Sequence, residues 1–162
     1  MAGMNETAFR LRPITPADAP AVAALIRQAF ASITPPLVPS PSASRETEAS
    51  VADSIAKGGG AVAEVAGRII GSALWDERDG GLYIGRVSVA PDFRRRGVAR
   101  ALVMAGEAEA RRRGMPRVHL ATRLALVSNR QLFASLGFRE TALHAHDGYD
   151  HPTWVDMEKP LD

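Results

Sequence analysis

The stretch Arg94-Arg95-Arg96-Gly97-Val98-Ala99-Arg100 sets four arginines around a glycine where a strand gives way to a helix. A helix mouth carries backbone N–H groups with no intrahelical partner, and the helix dipole favours negative charge there. Arginine side chains add charge-assisted bonds to the same anion, and a glycine lets the backbone approach it closely. These residues suit the holding of a phosphate-bearing ligand. Groups for proton transfer are sparser. The strand Leu82 to Val89 offers Tyr83, Arg86 and Ser88 and no carboxylate. His119 has the intrinsic pKa of a general base, although a hydrogen-bonded histidine lining a sheet is the reading its position favours. Tyr83 reads as a weaker candidate for the same role or as a cross-strand packing aromatic. His144, His146, Asp147, Tyr149 and His151 gather around one late turn. Their spacing implies no ligand geometry, so they read as a substrate-site rim and no metal is expected.

The elements that must position these groups follow from the rest of the chain. Its 162 residues, 46% apolar and 23% charged, fit one soluble domain over 1–162, with 1–7 as an N-terminal extension and Met4 as a rival start to Met1. There is no apolar run of about 18 residues and no signal-peptide layout, so a cytoplasmic protein without a membrane partner is expected. Zero Cys excludes disulfides, thiolate metal sites and a Cys nucleophile. The chain's net charge is only +2, yet residues 85–123 hold ten Arg against Asp92, Glu107 and Glu109, which makes that segment +7 and the remainder −5. Such asymmetry points to one anionic ligand at one place. An Arg-rich nucleic-acid binder is the rival reading. Two Tyr, two Trp and five Phe leave little for stacking on bases, so no nucleic acid is expected. The run Arg111-Arg112-Arg113 suits a solvated helix end.

Phe9 to Ile14 alternates as an edge strand with Pro13 near its end. Thr15 and Pro16 then open a helix through Val22, Leu25, Ile26, Ala29 and Phe30. Prolines 35, 36, 39 and 41 forbid regular structure from Ala31 to Ser44, and so long a loop suggests function. A second helix runs from Glu46 to Lys57 and stops at Gly58-Gly59-Gly60. Residues 61 to 90 read as three strands, with turns at Ala66-Gly67 and Asp79-Gly80-Gly81. The helix from Gly97 to Gly114 leads into a strand at Arg117 to Thr122, a βαβ unit that demands parallel neighbours. A helix at about Leu126 to Leu136 and a hairpin of Phe138 to His146 with Pro152 to Lys159 complete the order β-α-α-β-β-β-α-β-α-β-β. The fold class is therefore α/β (α+β), a mixed sheet flanked by helices.

Arg94-Arg95-Arg96-Gly97-Val98-Ala99 resembles the Arg/Gln-x-x-Gly-x-Gly/Ala signature of the GNAT superfamily of N-acetyltransferases. Val87-Ser88-Val89-Ala90-Pro91 looks like that family's Val-x-Pro strand end. Asn129-Arg130-Gln131-Leu132-Phe133-Ala134-Ser135-Leu136-Gly137-Phe138 is similar to its Asn…Tyr-x-x-Leu-Gly-Phe segment. The two motifs lie about 35 residues apart and in the family's element order. The resemblance implies a mostly antiparallel sheet of about seven strands with one splayed parallel pair, and acetyl-CoA as co-substrate. It places the pyrophosphate on the N–H groups and side chains of Arg94, Arg95, Arg96, Gly97, Val98, Ala99 and Arg100. It runs the pantetheine arm along Val87, Ser88 and Val89, as an added strand would run. It also assigns Asn129 to the pantetheine side, although a polar residue at a helix N-terminus explains Asn129 equally on spacing.

The chain departs from the family where a Tyr that can protonate the departing thiolate is replaced by Phe133. A thiol pKa of about 8.5 lets a thiolate leave without an acid, so Phe133 is simplest as a packing residue beside the thiol end. The reaction implied is acetyl transfer to a primary amine, with a small molecule or a peptide as acceptor and a monomer or homodimer as the acting form. Acceptor choice falls to the loop 31–44 and the turn 147–152. The alternative is a non-catalytic acyl-CoA binding module, which Phe133 motivates.

Overall fold

The computed structural model describes residues 8–162; the expectations for residues 1–7 lie outside this range. Seven strands form one sheet: β1 (Arg10–Pro13), β2 (Gly60–Val65), β3 (Arg68–Arg78), β4 (Gly81–Val89), β5 (Arg117–Arg123), β6 (Arg139–His144) and β7 (Trp154–Pro160). Four helices flank it: α1 (Ala19–Ala31), α2 (Glu48–Lys57), α3 (Val98–Arg112) and α4 (Val127–Ser135). The strand order is β1-β2-β3-β4-β5-β7-β6, so β1 is an edge and β7 inserts between β5 and β6. All pairs are antiparallel except β4 with β5. Among the described residues no helix is long and apolar enough to cross a membrane.

Alternation along the strands divides the apolar side chains between two faces. Ala73, Trp75, Leu82, Ile84, Val118 and Leu120 pack with Leu102 and Val103 of α3 and Phe133 of α4. Val62 and Leu74 turn the other way, onto Val22 and Ile26 of α1 and Val51 and Ile55 of α2. α3 packs on the sheet with no room for a side chain at residue 106: a Cβ there would fall 2.6 Å from Ile84 Cδ1. The segment between α1 and α2 is less irregular than its prolines suggest. Ser42–Arg45 forms a 3-10 turn whose Ala43 is fully buried in the second cluster.

Two local features of β4 open the sheet. Its parallel pairing with β5 is confined to Leu82↔Val118 and Tyr83↔His119, after which the strands part. On the other edge, Ser72↔Ser88 is followed by Leu74↔Gly85, so three steps on β4 match two on β3. That is a bulge, and it bends the strand. Arg86 sits in it at φ 54°, a left-handed conformation that a side chain of this kind seldom adopts.

Candidate active site

Where β4 and β5 part, a cleft of about 780 Å³ opens. Its walls come from β4, β5, the start of α4, the turn before β7 and the Pro39–Ser42 segment. The mouth of α3 follows β4 through the turn Pro91–Phe93, and Arg94 there bonds the end of α1, whose Phe30 lines the cleft. Gly97 is the residue before the helix, at φ 81°, and a Cβ there would meet open space, so backbone conformation selects the glycine. The first N–H of this helix to bond back is that of Ala101, onto the Gly97 carbonyl at 3.0 Å. The amides of Gly97, Val98, Ala99 and Arg100 have no acceptor among the described residues. Arg95 also adopts a positive φ of 62°, so two left-handed residues two positions apart shape this loop. Such a concave run of N–H groups is what binds a phosphate.

The arginines divide sharply once their partners are known. Arg111 pairs with Glu107, Arg112 and Arg113 with Glu109, and Arg117 with Glu158. The helical arginine run is therefore paired largely within α3. Arg86 binds Glu46 at 2.7 Å. Arg94 was expected on the anion through its side chain; instead its guanidinium donates to the Ala29 carbonyl at 3.0 Å and to Ser32 Oγ at 2.6 Å, fastening the end of α1. Of the ten arginines in residues 85–123, this leaves Arg95, Arg96, Arg100 and Arg123 without a carboxylate or hydrogen-bond acceptor among the described residues. The first three surround the helix mouth, and Arg96 rests over the Phe93 ring at 5.2 Å.

The remaining candidates also sort by position. Val87, Asn129 and Phe133 all line the cleft. Asn129 is exposed in the first turn of α4, and Phe133 is 5% exposed with its ring 6.3 Å from that of Phe138. Val98 is buried in the core, so only its backbone can face a ligand. Ser88 does not line the cleft: it is buried and its hydroxyl donates to the Arg86 carbonyl at 2.9 Å, inside the bulge. Val89 lies beyond the cleft and pairs with Gly71 of β3.

Tyr83 reaches the cleft from β4, with the Arg78 guanidinium 4.0 Å above its ring. Burial pushes its phenol above the ordinary tyrosine value, which keeps it protonated and unfit as a base at neutral pH. His119 lies outside the cleft, in a neighbouring groove. Its Nε2 is 2.8 Å from the Arg78 carbonyl and must donate there, and burial lowers its pKa. The hydrogen-bonded sheet histidine is the reading that fits. His146 is the titratable group that sequence reasoning left at the rim. It lines the cleft with Asp147, the one carboxylate among the lining residues. Partial desolvation and then Arg123 hold His146 below the ordinary histidine value. Its only signal in the sequence was membership of the late His/Asp turn. Among the described residues no group of three His, Cys, Asp or Glu could hold a metal ion.

A model of the acetyltransferase (GNAT) family matches residues 24–138, most of the chain. The chain belongs to the GNAT family. A curated acetyltransferase of Pectobacterium atrosepticum is 44% identical over 64 residues, 38% of this chain and 44% of that protein. The match thus spans less than half the length of that relative. This GNAT chain also shares its fold with solved structures. The ribosomal-protein-S18-alanine N-acetyltransferase of Escherichia coli superposes with a TM-score of 0.75 at 20% identity, covering 94% of each chain. YncA from Salmonella typhimurium, solved with its cofactor acetyl-CoA, gives 0.74 at 20% identity, over 96% of this chain and 95% of that one.

Proposed function

We propose that this GNAT chain is an acetyl-CoA-dependent N-acetyltransferase that moves an acetyl group to a primary amine by direct attack in a ternary complex. The observation that carries the reading is the parting of β4 from β5 on the strand that leads, a few residues on, into an anion-ready helix mouth. The amides of Gly97 to Arg100 and the side chains of Arg95, Arg96 and Arg100 would take the pyrophosphate. The edge of β4 freed beyond Tyr83 would take the pantetheine amides as an added strand, with Asn129 on the facing wall. A backbone N–H near Val87, which the bulge leaves without a β3 register partner, would polarise the thioester carbonyl.

In the transfer, the amine nitrogen bonds to the acetyl carbon and the C–S bond breaks. The nitrogen loses one proton, and the thiolate, once it has left, takes one from solvent. His146 is the group placed to take a proton, being neutral at pH 7 and on the cleft wall. Phe133 offers none, and a thiolate of pKa about 8.5 leaves without an acid.

Acetyl-CoA should raise the melting temperature of the chain, and thiol release should follow when an amine is supplied. No thermal shift would reject the cofactor site. Because Phe133 lacks a hydroxyl, a non-catalytic acyl-CoA module is the second reading, and a thermal shift without turnover on any amine would favour it.

A further inference from the structure

We infer that the acceptor carries an oxyanion, a carboxylate or a phosphate, alongside its amine, and that Arg123 receives it. This rests on the acetyl-transfer reading and names the substrate class for the same site. Val118 and Leu120 of β5 point into the cluster under α3, so by alternation Arg123 points to the opposite face of the sheet. That is the face carrying α1 and α2, away from the core beneath α3. Arg123 lines the cleft there beside Trp154 and His146.

Its electrostatic situation is unlike that of its neighbours. Arg86, on the same cleft, is matched by Glu46, and Arg117, on the same face of β5, by Glu158. Arg123 is half-buried, yet no carboxylate and no hydrogen-bond acceptor among the described residues meets it. Desolvation holds its pKa below the ordinary arginine value, and the Tyr149 phenol is the one group opposing that shift. A half-buried guanidinium without a partner is costly, and the fork of N–H donors fits a carboxylate or phosphate in two parallel bonds. Across the cleft, exposed Arg45 likewise has no partner among the described residues, and Asp147 is the only opposing charge on the walls. Such a field repels polycationic acceptors. It also lowers the pKa of an incoming ammonium, which raises the share of neutral, attacking amine.

The test is thiol release with matched acceptors: an amino acid against its amide, and phosphoethanolamine against ethanolamine. The expected result is at least about a tenfold higher kcat/KM for the anionic member of one pair, a carboxylate or a phosphate source being distinguished by which pair discriminates. Arg123→Gln should bring that ratio close to one while leaving KM for acetyl-CoA unchanged, and Arg123→Lys should retain part of it. Melting temperatures with acetyl-CoA confirm that each variant is folded and loaded. Equal turnover of charged and neutral partners, or a preference that survives Arg123→Gln, overturns this inference and leaves acetyl transfer standing. A raised KM for acetyl-CoA in Arg123→Gln would move Arg123 to the cofactor and overturn it as well. Thermal stabilisation with no turnover of any amine rejects the transferase reading and this inference together.

Discussion

Arg86 Nε donates to Glu46 Oε2 at 2.7 Å, tying the one residue of β4 held at positive φ to the segment ahead of α2. Ser42 Oγ accepts a second bond from Arg86 at 3.1 Å, and the other Glu46 oxygen accepts from Ser50 Oγ. The bulge that frees the β4 edge is thus anchored from the acceptor-side loop. Glu46→Ala leaves a partly buried guanidinium at a strained position. It should cost about 1–2 kcal/mol, since Arg86 is a third exposed and solvent screens part of the pair. KM for acetyl-CoA should rise in parallel. Chemical denaturation and initial rates measure both; an unchanged denaturation midpoint would mean the bulge holds itself.

Gly97 separates conformational from electrostatic effects at the helix mouth. With φ at 81° and open space where a Cβ would stand, Gly97→Ala should cost about 1 kcal/mol of stability and weaken acetyl-CoA modestly. Gly97→Glu adds a negative charge among Arg95, Arg96 and Arg100 and should abolish binding. Isothermal titration with CoA decides it. Normal affinity in the Glu variant would move the pyrophosphate elsewhere.

The order of elements, the parallel pair and the opening of α3 at Gly97 were all legible because each has a local signature. Proline and glycine mark the turns, a 3.6 period marks α3, and Arg density marks its mouth. Partners distant in sequence were not legible. Nothing local says that Arg94 reaches back to Ala29 and Ser32, or that Arg111 to Arg113 are largely neutralised by Glu107 and Glu109. His119 looked like a base because its residue type is right, whereas register against β4 and the Arg78 carbonyl decide its role. The rim reading of the late turn took in His146 and Asp147, which do line the cleft, but the composition of that turn could not single out one of its residues.

Asp18 predicts how the scaffold responds to acid. Arg12 binds it through two bonds of 2.8 and 2.9 Å, and the Thr15 N–H and hydroxyl add two more, so its pKa falls to about 2. A depressed carboxylate stabilises the fold above its unfolded value of about 4, and that contribution fades as pH drops through about 2. The magnitude is on the order of 1–2 kcal/mol after allowing for the partial exposure of Arg12. Asp18→Asn should lower stability at pH 7 and flatten its decline between pH 4 and 2. Denaturant melts across that range test it, and a variant with the wild-type acid slope would assign the decline to other carboxylates.

His146 should dominate the acid limb of the rate profile. Its Nδ1 lies against Thr153 Oγ1, which also accepts the His146 backbone N–H at 3.0 Å. The threonine oxygen can accept both bonds, and the tautomer in which Nδ1–H donates to it is the one that leaves Nε2 bare. Because desolvation and Arg123 lower the pKa of His146 while Asp147 raises it less, the base is deprotonated above a midpoint below 6.5. The value of kcat/KM should therefore climb through that midpoint as pH rises. A second limb at higher pH belongs to the ionisation of the acceptor amine. His146→Gln should remove the lower limb and reduce the plateau about 100-fold, the usual contribution of a positioned base. Thr153→Val, which deletes the oxygen behind Nδ1 while keeping the side chain's shape, should lower kcat with little effect on KM for acetyl-CoA. A lower limb that persists unchanged in His146→Gln would transfer the proton to solvent or to Asp147, and Asp147→Asn would then carry the loss.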